Sequence, residues 1–148
     1  MRKYDFDIRL HHAVRASKRA PFMWGGHDCC KAAARIVTAT TGKDIMKGSR
    51  RYRSAFGAMK LLRKQGFIKL SHAIKAKANA AGFKQQPSKR ARFGDLVTLR
   101  WQPQDEDIDA GFFDVAVGVC VGAKSIFATT SGWMHVPTLK CKTSFRVE

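Results

Sequence analysis

Apolar residues recur every three or four positions in the first half of the chain and alternate or cluster in short runs in the second. Over residues 6–17, Phe6, Leu10, Ala13 and Val14 predict a short first helix, with Arg15, Lys18 and Arg19 toward solvent and Pro21 as a break. Asp28 is placed to cap a second helix running to about Thr40, with Gly42 just past its end. Its expected inward face is Cys29, Ala33, Ile36, Val37 and Thr40. Ser54 predicts a third start, over residues 55–65, closed by Gly66; Ala55, Met59 and Leu62 share its face, and Lys60, Arg63 and Lys64 supply charge. Ser71 is the expected cap of a fourth helix to about Ala81, closed by Gly82, with Ile74, Ala78 and Ala81 inward.

After Pro87 the period changes. Residues 95–100 and 113–121 read as strands, the second with Gly118 as a bulge or a point of close approach. Shorter strands are expected at 126–129, 134–136 and 143–147, and residues 102–107 form a polar, acidic connection. Helices first and strands second predict an α+β domain, with N-terminal helices packed on a C-terminal antiparallel sheet or small barrel.

At 148 residues the chain fits one domain, 1–148, with a short helical segment before residue 21. Ten phenylalanines in a 45% hydrophobic composition support a packed core. Charge alters the picture more. There are 28 Lys and Arg against 11 Asp and Glu, a formal +17, and residues 43–92 hold 15 basic side chains and one acid, Asp44. Such a surface attracts nucleic acid, anionic glycopolymer, membrane headgroups or an acidic protein. Its candidate contacts are Lys47, Arg50, Arg51, Arg53, Arg63, Lys64, Lys89, Arg90 and Arg92; ordinary solvated charge is the alternative.

Cys29, Cys30, Cys120 and Cys141 lack the spacing of a zinc or redox site, so no metal and no cofactor is expected. No apolar stretch suits a signal peptide or a membrane span, and integral membrane contact is not expected. Phosphate-binding and dinucleotide glycine motifs are absent. Residues 54–82 offer only a weak helix-turn-helix pattern.

The densest chemistry lies in Pro21-Phe22-Met23-Trp24-Gly25-Gly26-His27-Asp28-Cys29-Cys30. A thiol at a loop-to-helix junction meets unpaired backbone N–H groups and the positive end of the helix dipole, which favour a thiolate. Trp24, Gly25 and Gly26 shape a tight loop beside it.

This segment, followed by Arg92-Phe93-Gly94-Asp95-Leu96-Val97 and by Val117-Gly118-Val119-Cys120-Val121-Gly122, resembles the papain-like cell-wall peptidase superfamily, nearest to its small members from tailed phages and prophages. The resemblance runs from Pro21 to the C-terminus and implies a papain-like fold with Cys29 as nucleophile, Asp28 as its helix cap and Cys30 packed inward. The catalytic histidine of that family corresponds to Ala116, and the residue orienting it falls near Phe127; both are apolar here. His135 and His27 are the candidate replacement bases, while His11, His12 and His72 lack a supporting motif.

General acid–base assistance contributes about 10²–10⁴-fold to such chemistry. The resemblance therefore implies a scaffold without the peptidase apparatus. It points to a noncatalytic structural protein of the phage virion, in the tail or tail tip, assembled in the host cytoplasm with other phage structural proteins and able to contact an acidic protein, nucleic acid or peptidoglycan. A cysteine amidase or endopeptidase acting on peptidoglycan, and a basic DNA- or RNA-binding accessory protein, are the competing expectations.

Overall fold

The computed structural model describes residues 2–48, 51–101, 109 and 111–148. Four helices come first: α1 (Phe6–Arg19), α2 (Cys29–Thr41), α3 (Ala55–Lys64) and α4 (Leu70–Ala80). Six strands follow: β1 (Lys84–Gln86), β2 (Leu96–Arg100), β3 (Val115–Cys120), β4 (Lys124–Thr129), β5 (Gly132–Pro137) and β6 (Thr143–Arg146). They form one antiparallel sheet in the order β1-β6-β2-β3-β4-β5. The fold is α+β, and its sheet is open, with β1 and β5 at the edges, rather than a closed barrel.

Two helix starts follow local chemistry. The Asp28 carboxylate accepts from the Lys31 amide at 2.9 Å, and the Ser54 hydroxyl from the Gly57 amide at 3.0 Å. The fourth start differs from expectation. Ser71 lies inside the first turn of α4, and its amide and hydroxyl donate to Asp114 at 3.0 and 2.6 Å. A carboxylate 43 residues away thus ties down this helix end, a partner that local spacing cannot reveal. The strand β1 also escapes the hydrophobic pattern, because its Lys-Gln-Gln has no alternation and pairs with β6 through the backbone.

Helix α2 buries Cys30, Ala32, Ala33, Ala34, Ile36, Val37 and Thr40. Its inward face therefore begins at Cys30, leaving Cys29 half-buried at the rim. The alanines let the helix approach β3, whose six residues are all buried because both faces of that strand are covered. Val115, Val117 and Val119 join the core beneath the helices, whereas Ala116 and Cys120 join Val97, Phe127 and Cys141 on the opposite face. Gly118 pairs in register with Val97, so there is no bulge against β2, while the pairing with β4 covers only Val119 and Cys120. Gly118 is a point of close approach: a Cβ there would lie 2.2 Å from the Ile126 carbonyl oxygen and 2.6 Å from the Phe127 ring.

Asp95, fully buried, ties distant segments together. One carboxylate oxygen accepts from Arg2 at 2.8 Å and the Val147 amide at 3.0 Å. The other accepts from the Arg92 amide at 2.8 Å and Gln86 at 3.0 Å, with Arg146 Nε at 3.3 Å. Both ends of the described chain, β1 and the start of β2 are held at one charge.

Candidate functional site

The loop before α2 is organised by Asp28, which is 1% exposed. Besides the Lys31 amide, its carboxylate accepts from the Gly25 amide at 3.0 Å and from the Tyr52 hydroxyl. Gly25 has φ +76°, and a Cβ there would meet the Tyr52 carbonyl oxygen at 1.7 Å. Only glycine fits this contact. Gly26 packs against the Met23 side chain, and Trp24 against Phe22 and Phe113. Burial, followed by the fields of Cys30 and Asp28, drives the Tyr52 pKa well above the ordinary phenol value. Tyr52 consequently stays a donor, and Asp28 is a structural latch.

Cys29 and Cys30 line a cavity of about 430 Å³ between the helices and the β3-β4-β5 end of the sheet. Most of its wall is apolar, including Trp24, Leu62, Ile74, Phe113 and Trp133, with Asp28, Tyr52, Lys77 and the turn Thr129-Thr130-Ser131 as polar interruptions. The two sulfurs are 3.9 Å apart. The hydrogen bond with Cys29 is the largest influence raising the Cys30 pKa, and full burial adds to it; Cys30 is thus held as a thiol. Lys77, half-buried on the wall, has its pKa pushed down by desolvation, opposed by Cys30 and Asp44. Sequence reasoning missed Lys77 as a cavity residue. Its position three after Ile74 and next to Ala78, both inward, was the available signal.

Neither candidate base serves the thiol. His27 is 4% exposed, with Nε2 2.9 Å from the Ser17 carbonyl oxygen and Nδ1 3.0 Å from an Arg35 guanidinium nitrogen. A carbonyl only accepts and a guanidinium only donates, so in this arrangement Nε2 donates to Ser17, Nδ1 accepts from Arg35, and both nitrogens are occupied. It ties α1 to α2. His135 is exposed on β5, its Nε2 accepting from the Lys18 ammonium at 2.8 Å. No histidine lines the cavity that holds Cys29. Ala116 borders that cavity, but Phe127 lies fully buried in the cluster on the far face of the sheet. Strand alternation makes Val115 and Val117 the β3 residues that face the helices.

Desolvation, with the positive fields of Lys18 and Lys124, lowers the His135 pKa from its ordinary 6.5. Proton NMR titration is expected to find it below that value and to find it raised again in Lys18→Ser. Because the folded state resists protonation, His135 adds nothing above pH 6.5, and stability falls as pH drops from there toward the lowered folded value. A His135 titration at or above 6.5 would contradict the contact.

The family described as "Domain of unknown function (DUF6950)" matches residues 1–147. The chain belongs to it. Comparison with curated proteins and with solved structures gives no match. Among the described residues of this DUF6950 domain, no three His, Cys, Asp or Glu side chains converge as a metal site, and no helix is long and apolar enough to cross a membrane.

The cations singled out in the sequence are exposed at Lys47, Arg51, Arg53, Arg63, Lys64, Lys89, Arg90 and Arg92; Arg50 lies outside the described residues, as do Asp105, Glu106 and Asp107. Arg63 reaches Asp109 at 3.2 Å and lies over the Phe112 ring. The others are spread over the connection between α2 and α3, the end of α3, and the segment from Ser88 to Arg92 that precedes β2.

Proposed function

We propose that this DUF6950 domain is a noncatalytic structural component of a tailed-phage particle, in the tail or tail tip, which uses a papain-like scaffold for binding in place of hydrolysis. The observation carrying this reading is that the Cys29 cavity holds no imidazole while His27 is occupied at both nitrogens. The papain-like assignment is supported by a cysteine opening a helix that packs on an antiparallel sheet, in the motif order that carries the resemblance. The phage setting rests on that resemblance. A largely apolar cavity beneath a strongly basic exterior suits a protein that docks partner chains.

Mass spectrometry of gradient-purified particles, from cells producing the phage that encodes this chain, is expected to find the protein in the particle. In parallel, peptidoglycan fragments incubated with reduced protein should release no new amine or carboxylate. Absence from the particle would overturn the structural role. Hydrolysis that vanishes in Cys29→Ala would overturn the noncatalytic one.

A further inference from the structure

Behind the Cys29 cavity lies a second, of about 470 Å³, between the C-terminal end of α1 and the β4–β5 turn. Lys18, Arg19 and His27 line it, and no carboxylate among the described residues does. The two cavities share Phe22, Ala128, Thr129, Thr130, Gly132 and Trp133, so they meet along one wall. A cationic cavity therefore borders an apolar one.

We infer that these adjoining cavities together form a groove for an extended acidic peptide segment of a partner protein, with carboxylates at Lys18 and Arg19 and an apolar anchor beside Cys29. The inference rests on the reading of the Cys29 cavity as a binding site. The Lys18 ammonium has three N–H donors, one of which serves His135, and Arg19 is exposed beside it. Together they complement the negative end of such a segment.

An extended backbone is favoured because β5 is an edge strand. Its six residues pair with β4 along one side, and no other described strand adjoins it. The free edge offers N–H and C=O groups to an added strand, while Trp133 on β5 forms part of both cavity walls. A polynucleotide could stack a base on Trp133, but the polar edges of the base would be left without partners in a largely apolar chamber. A fatty acid would fill it and meet the cations, yet would leave the strand edge unused.

The test uses fluorescence anisotropy with a labelled decapeptide carrying three glutamates ahead of a Leu-Phe pair. Replacing the glutamates by lysines, or Leu-Phe by Ser-Ser, is expected to weaken binding at least about tenfold, as is Arg19→Glu or the Lys18→Glu/Arg19→Glu pair. Thermal melts establish that the variants fold. Saturating peptide should also slow iodoacetamide alkylation of Cys29 in the unaltered protein, reading occupancy without any substitution. Equal binding of the lysine peptide, indifference to Arg19→Glu, or unchanged alkylation would overturn the inference. So would protection of Cys29 by oleate or an oligonucleotide in place of the peptide. Peptide left intact but unbound removes this inference alone, whereas Cys29-dependent cleavage removes the noncatalytic reading beneath it.

Discussion

Asp95→Ala is expected to cost about 3–5 kcal/mol of unfolding free energy, the range for breaking a buried charge pair from one side. The carboxylate is fully buried and faces two guanidinium groups, two backbone amides and the Gln86 side chain. Removing it strands those donors where water cannot replace it, and Arg146 keeps a positive charge beside the vacated site. The loss spreads because the donors come from Arg2, β1, the turn before β2, and the segment leaving β6. Asp95→Asn should recover part of the loss, since its carbonyl accepts on one side while its NH₂ opposes the donors on the other. Chemical denaturation followed by tryptophan fluorescence measures both. A loss below about 1 kcal/mol in the alanine variant would show that Asp95 is not an organising centre.

Gly25→Ala is expected to be comparably harmful for a different reason, about 2–5 kcal/mol from left-handed strain and overpacking together. The new methyl would lie 1.7 Å from a backbone oxygen, Tyr52 O, which cannot swing aside as a side-chain tip could. Relief would move Tyr52, break its hydrogen bond to Asp28, and loosen the cap of α2. Faster alkylation of Cys29 should accompany the loss. Gly42→Ala is the internal control: φ is +79° there as well, but nothing lies within 4 Å of the added Cβ. It should show the conformational cost alone, about 1–2 kcal/mol. Equal losses at the two positions would refute the close approach at Gly25.

The contrast between Asp28 and the candidate bases shows how much of the site the chain announces. Asp28 was legible as a cap because its partner, the Lys31 amide, is three residues away. The occupation of His27 was not, since its partners Ser17 and Arg35 come from two different helices, ten and eight residues away. His135 was equally opaque: its contact is Lys18, 117 residues distant. The second cavity went unseen for the same reason, since its cations belong to the end of α1 and its wall to the β4–β5 turn.

The cysteine pair carries a related lesson. Spacing predicted that Cys29 would head the inward face of α2, yet Cys30 is the buried one. Period alone fixes which residues share a stripe; the angle at which a helix meets its sheet decides which stripe turns inward. On β3 the alternation is unambiguous, but a wholly apolar run hides which face belongs to the helices. Packing of α2 on β3 resolves it, placing Val115 and Val117 in the core beneath the helices and Phe127 in the cluster on the far face.

By itself the sequence determined the helices, the longer strands, the α+β order, the thiol at a capped helix start and the strongly basic surface. Each depends on neighbours within a few residues or on a plain count of charges. Tertiary structure alone decided that α4 is anchored by Asp114, that Asp95 gathers both ends of the described chain, that β1 exists, and that no imidazole enters the Cys29 cavity. Those outcomes depend on pairs brought together across tens of residues, where periodicity carries no information about which side chain meets which.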